Sequence, residues 1–125
     1  MTIHENLGDI PLIVRSLPPA FIKEGSPTAS GRVLAVSEDR RTDRVVWECT
    51  PGSLALEPDP SVIDVGYVLF GRATVCPDGG DEKEIRPGTL IEFPRQPYVF
   101  RVLETLRKVS FIYRPAGLAL IVEPL

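Results

Sequence analysis

Side chains that could act as nucleophiles or soft metal ligands are scarce in this chain. It carries one histidine, His4, near the amino terminus, and no role is assigned to it. Its two cysteines, Cys49 and Cys76, stand 27 positions apart and form no CxxC pair. That pattern reads as two buried thiols packing as small hydrophobes in a reducing compartment, ahead of a disulfide or a catalytic thiol. Acid–base chemistry would therefore fall to carboxylates and phenols. Glu92 lies between Ile91 and Phe93 in an apolar run. It is either the polar residue of a half-exposed strand face or a pocket carboxylate with a raised pKa. Trp47 and Glu48 are consecutive, so on a strand they face opposite sides, with Trp47 serving as core, as a ligand platform, or as both. Tyr67 and Tyr98 either pack at a wall or offer a hydroxyl.

The elements that must position these residues are short strands. Thirteen prolines and ten glycines interrupt the chain too closely for a long helical period to survive. Between them lie segments rich in β-branched and aromatic residues: Arg32–Val36, Arg44–Cys49, Val65–Phe70, Arg72–Cys76, Leu90–Phe93, Tyr98–Leu103, Lys108–Arg114 and Leu118–Val122. In Tyr98–Leu103 the apolar Tyr98, Phe100 and Val102 alternate with Arg101 at period two. Strands of this length and spacing predict a sandwich or barrel. Gly71 reads as a tight reversal between two strands, Pro77-Asp78-Gly79-Gly80-Asp81 as a hairpin tip, and Pro87-Gly88 as a type II turn.

The chain has 125 residues, the size of one domain that buries roughly two-thirds of its unfolded surface. A net charge of −3 and a pI near 5.2 argue against a nucleic-acid partner. The one dense charge run, Ser37 to Arg44, mixes both signs and reads as a solvated loop. The apolar stretch Ile10 to Val14 is too short for a signal core or a membrane span, so the expected location is cytoplasmic, away from membranes. Residues 1–28, with Pro11, Pro18, Pro19 and Pro27, read as an extended arm that packs on the barrel or on a partner subunit. Residues 29–125 form the barrel itself.

Several short motifs then fall in a recognisable order. They are Val46-Trp47-Glu48-Cys49-Thr50-Pro51-Gly52, Asp64-Val65-Gly66-Tyr67-Val68-Leu69-Phe70-Gly71, Pro87-Gly88 to Pro94, and Val102-Leu103-Glu104-Thr105-Leu106-Arg107-Lys108-Val109. Six residues separate Asp64 from Gly71, and five separate Gly88 from Pro94. Over residues 29–113 the sequence resembles the cupins, in particular the small branch of ethanolamine-utilisation cupins and relatives of ureidoglycine aminohydrolase. The resemblance implies an all-β, antiparallel jelly-roll barrel (the cupin double-stranded β-helix), usually dimeric, with a ligand pocket inside.

The family usually holds a metal on three histidines and a glutamate. Carried over by position, Asp64 takes the glutamate's place, Glu57 and Asp59 take two histidine positions, and Val99 takes the last. Gly52 lies close to the leading glycine, Gly88 and Pro94 match, and Gln96 replaces a glycine. No histidine ligand remains, so neither a metal nor another cofactor is expected. Glu57, Asp59 and Asp64 could in principle offer oxygen donors to Mg²⁺, Mn²⁺ or Ca²⁺. A proline-stiffened rim loop at Glu57-Pro58-Asp59-Pro60 is the simpler reading. Arg101 shares the face of Val99, which the carry-over points inward, and could clamp an anion.

The expected pocket therefore comprises Trp47, Glu57, Asp59, Asp64, Glu92, Val99 and Arg101. The expected function is metal-independent binding of a small polar or anionic molecule by a homodimer formed through the outer sheet and the arm. The alternatives are a metal-independent isomerase, epimerase or lyase using pocket carboxylates, and a degenerate cupin with a role in assembly.

Overall fold

A computed structural model describes residues 1–117 and 121–123. Nine strands account for the fold: β1 (Ile13–Arg15), β2 (Ile22–Glu24), β3 (Ala29–Val36), β4 (Thr42–Cys49), β5 (Gly52–Leu56), β6 (Ile63–Pro77), β7 (Lys83–Ile85), β8 (Leu90–Glu92) and β9 (Tyr98–Tyr113). Every pairing is antiparallel. The sheet runs β1-β3-β4-β9-β5-β2, with β6 on the other edge of β9 and carrying β7 and β8. No helix among the described residues is long and apolar enough to cross a membrane.

Two long, bent strands turn this sheet into a jelly roll. The first half of β9 lies between β5 and the second half of β6, while its second half lies between β4 and the first half of β6. Each long strand thus belongs to both walls. The bend is built into β6, whose register against β9 slips between Val68 and Ala73. Gly71 sits there with φ +88°, and a Cβ would lie 2.1 Å from the Thr105 carbonyl oxygen. The expected reversal at Gly71 is therefore corrected: the chain runs straight through in one strand, and glycine is needed because the two backbones nearly touch. For the same reason the strands expected at Val65–Phe70 and Arg72–Cys76 are one strand, as are Tyr98–Leu103 and Lys108–Arg114.

The turns behave as their residues suggest. Gly80 N–H donates to the Pro77 carbonyl across the hairpin tip, and Thr89 N–H donates to Arg86 across Pro87-Gly88, both at 2.9 Å. Of the strand expected at Leu118–Val122, residues 118–120 lie outside the described residues, and 121–122 are not in a strand.

The core fills the space between the walls. Phe100, Leu54, Leu106 and Val68 are its largest fully buried apolar side chains. Phe100 meets Trp47 and Phe93 with ring centroids 5.7 and 5.9 Å apart, a geometry that favours aromatic pairs beyond their buried area. Part of residues 1–28 joins the sheet edges, and Leu17 and Ile22 pack against the core. β1 pairs with β3 and β2 with β5, Ile10 is buried, and Arg107 donates to the carbonyls of Leu7 and Ile10 at 2.8 and 3.1 Å.

Candidate functional site

Successive rungs across β4, β9 and β6 define one inner wall. Trp47, Lys108 and Val68 form one rung, Val45, Ser110 and Gly66 the next, and Asp43, Ile112 and Asp64 the third. Paired residues on neighbouring strands share a face, so a lysine and two aspartates stand on the inner side of an otherwise apolar barrel. Opposite them are Tyr98 and Phe100 of β9, Leu54 and Leu56 of β5, and Phe93 just beyond β8. Together they enclose a cavity of about 400 Å³, whose mouth is edged by Arg15 to Pro18 and Phe21 from the amino-terminal segment.

Lys108 is the unusual member. It is 8% exposed, and its Nζ lies 5.1 Å from the Trp47 ring centroid and 4.9 Å from that of Phe93. Its hydrogen bond goes to Ser110 Oγ at 2.5 Å. Gly66 makes room for this arrangement: a Cβ there would meet the Phe93 ring at 2.8 Å and the Lys108 stem at 3.4 Å. Burial holds the Lys108 amine below the ordinary lysine range, while the nearby Asp64 carboxylate pulls the other way. Burial also raises the Tyr98 phenol, and Asp64 adds to the effect. Tyr98 is therefore a neutral hydroxyl at any working pH.

The carboxylates complete the electrostatics. Asp64 Oδ1 and Asp43 Oδ1 are both buried without a hydrogen-bond partner among the described residues. Burial raises the Asp43 carboxyl, and Asp64 adds to that shift. The ion pair to Arg114, with Nε 3.3 Å from Oδ2, opposes it. Asp64 has no such partner. It faces both the main cavity and a smaller hollow of about 180 Å³ that it shares with Asp59 and Arg114.

The expected pocket residues separate into two groups. Trp47 and Asp64 line the cavity. Glu57 is exposed on the loop after β5. Asp59 is also exposed, and it accepts hydrogen bonds from Ser61 N–H and Oγ at 2.9 and 2.8 Å. That turn holds its carboxyl low and points it along the rim. Glu92 is exposed and pairs with Val65, whereas Phe93, one residue on, turns inward. Val99 and Arg101 lie on the outer face, with Arg101 exposed and 4.0 Å from Glu82. The inward placement of Val99 and Arg101 is corrected by one position. Tyr98, Phe100 and Val102 take the inner face because their apolar surface is what the core buries.

Of the carried-over metal positions, only Asp64 faces the cavity, and beside it stands an amine. Among the described residues no three His, Cys, Asp or Glu side chains converge as metal donors would. These side chains do not fit a histidine-rich centre. His4 does not line the cavity, and its Nε2 is buried with no hydrogen-bond partner among the described residues. Cys49 is fully buried, and burial pushes its thiol up to about 11, which leaves it inert as a nucleophile. Lys108 and Ser110 are the site residues that sequence reasoning missed. Their only signal was a shared period with Leu106 and Ile112.

A family profile described as the EutQ-like cupin domain matches residues 36–109. Solved structures share the fold at low identity. EutQ from Clostridium difficile is 20% identical with a TM-score of 0.61, over 70% of this chain and 64% of that one. A protein of unknown function from Pseudomonas syringae pv. tomato is 17% identical with a TM-score of 0.72, over 82% of this chain and 44% of that one. Ectoine synthase from P. lautus is 16% identical with a TM-score of 0.62, over 78% and 79% of the two chains. This chain therefore spans less than two-thirds of the first two proteins. No curated protein matches it. With the profile covering more than half its length and the jelly-roll walls in place, the chain belongs to the EutQ-like cupin domain family.

Proposed function

We propose that the barrel binds a small polar or anionic organic molecule without a metal, seating an apolar body on Trp47, Phe93 and Phe100. The observation that carries this reading is that the Lys108 amine and the Asp64 carboxylate both line one aromatic-walled cavity. Ligand sites are typically apolar hollows with a few convergent polar groups, and a cavity of about 400 Å³ is large enough for such a molecule. It also favours binding over a purely structural role, for which a side-chain-filled barrel would suffice.

Trp47 is the only tryptophan, so its emission reports on the cavity directly. A library of small metabolites should contain compounds that shift Trp47 emission saturably and raise Tm together. A library in which no compound does both sinks the reading.

A metal-independent enzyme is the second reading, favoured by one feature: an amine lowered by burial and a carboxylate share the same wall, an arrangement suited to proton transfer. A homodimer through the outer sheet is proposed as well. Tyr67, Leu90, Phe111 and Tyr113 leave apolar surface exposed on neighbouring outer positions of β6, β8 and β9. Light scattering on the purified chain tests it, and a monomer at micromolar concentration would end it.

A further inference from the structure

We infer that Lys108 captures carbonyl compounds: the cavity takes a small aldehyde or ketone with an apolar body, and Lys108 Nζ condenses with it to an imine. The inference deepens the binding reading above and rests on it.

The chain has three lysines, of which Lys23 and Lys83 are exposed and Lys108 is buried on the cavity wall. An ammonium has three donors and no acceptor. At Lys108, Ser110 Oγ is the one hydrogen-bond acceptor in reach among the described residues, and ring faces take the place of water. Such a site favours the free amine, because an under-solvated charge is costly to bury. The titratable groups facing Lys108 are Asp64, whose charge opposes this effect, and Tyr98, which is neutral. Asp43, on the same rung as Asp64, is tied to Arg114. A desolvated lysine in an apolar pocket is the form of this side chain that attacks carbonyls.

The step balances without an oxidant or reductant. The Nζ lone pair adds to the carbonyl carbon, a C–N bond forms, and the proton released by nitrogen passes to the carbonyl oxygen. The second N–H proton then passes to the resulting hydroxyl, which leaves as water as the C=N bond forms. One amine and one carbonyl thus give one imine and one water. Asp64, the carboxylate on the same cavity wall whose charge acts on Lys108, takes and returns the proton. Hydrolysis by the same route releases the ligand.

The full chain is incubated at neutral pH with propanal, hexanal or benzaldehyde plus sodium cyanoborohydride, which traps imines as stable amines, and adducts are located by peptide mass mapping. Lys23, Lys83 and the amino terminus serve as internal controls. Alkylation of Lys108 is expected to exceed that of Lys23 and of Lys83 severalfold, because Lys108 alone lines the cavity that holds the aldehyde beside its amine. In parallel, Trp47 emission is titrated with propanol, hexanol and benzyl alcohol, which can occupy the cavity but cannot condense. Adducts confined to Lys23, Lys83 and the terminus, with Trp47 still responding to the alcohols, overturn carbonyl capture and leave the binding reading intact. No Lys108 adduct and no Trp47 response to aldehyde or alcohol overturns both. A Lys108→Arg variant cannot form an imine, so it should lose the adduct at position 108. If that variant does not fold, the lysine ratio in the unaltered protein decides.

Discussion

Arg107 and Lys108 are consecutive residues of β9, both cationic and both 8% exposed, and they face opposite sides of the barrel wall. Arg107, on the outer side, makes three hydrogen bonds. Its Nε donates to Glu48 at 2.9 Å, its Nη1 donates to the carbonyls of Leu7 and Ile10, and its guanidinium stacks over Phe70 at 5.6 Å. Lys108, on the inner side, has one hydroxyl, two ring faces and an unpartnered carboxylate nearby. Burial alone does not mark a functional cation. Arg107 reads as a clamp that holds the amino-terminal segment to the barrel, because three of its donors have fixed acceptors, two of them in that segment. Lys108 reads as a site because Ser110 Oγ is the one acceptor that meets its donors among the described residues.

The largest expected effect breaks the outer half of this comparison. Arg107→Met leaves Glu48 and two backbone carbonyls without their donor, and removing one partner of a buried ion pair costs about 3–5 kcal/mol. Urea unfolding of the two proteins measures it. Lys108→Met, a substitution of similar shape, should by contrast change stability by no more than about 1 kcal/mol, or raise it, since it removes a poorly compensated charge. Equal losses in the two variants would show that Lys108 is as structural as Arg107 and end the distinction drawn here.

A pH series sharpens the inner half. The folded protein holds Lys108 below its unfolded value of about 10.4. Between those two values the unfolded chain binds more protons, so stability rises with pH across that window. The penalty is complete below the folded value and disappears as pH approaches the unfolded one. The stability of the natural chain relative to Lys108→Met should therefore climb as pH rises toward about 10.4, and a flat difference would mean an unperturbed amine. The smallest effect concerns Asp64. Its charge opposes the lowering of Lys108, so Asp64→Asn should move the pH midpoint of carbonyl trapping downward. A midpoint that moves upward, or not at all, would break the link between these two side chains.

Much of the architecture was legible in local chemistry. Proline and glycine spacing excludes long helices, period-two runs make strands, and Pro87-Gly88 closes the turn its residues suggest. Trp47 and Asp64 could be placed inside because the motif spacing that carries them is rigid. The second motif failed by one position. A one-residue slip in a strand exchanges its faces, and counting from Gly88 has no means of detecting it, whereas the alternation of Tyr98, Phe100 and Val102 does. Gly71 misled for a related reason. Positive φ suits a reversal and a bulge equally, and only the approach of Thr105 to within 2.1 Å of its would-be Cβ distinguishes them.

Residue type and spacing thus determined an all-β jelly roll with its turns and cupin motifs, because those depend on dihedral preference and alternation within a few residues. Tertiary structure decided which face of β9 became the inside. Arg107, Val109, Phe111 and Tyr113 form its more apolar face, and by hydrophobicity alone that face would point to the core. It points outward instead because Ile10 and its neighbours cover part of it, while Phe93, Trp47 and the gap left by Gly66 receive Lys108 on the other side. Burial is settled by what lies across from a strand, and those residues come from distant parts of the chain.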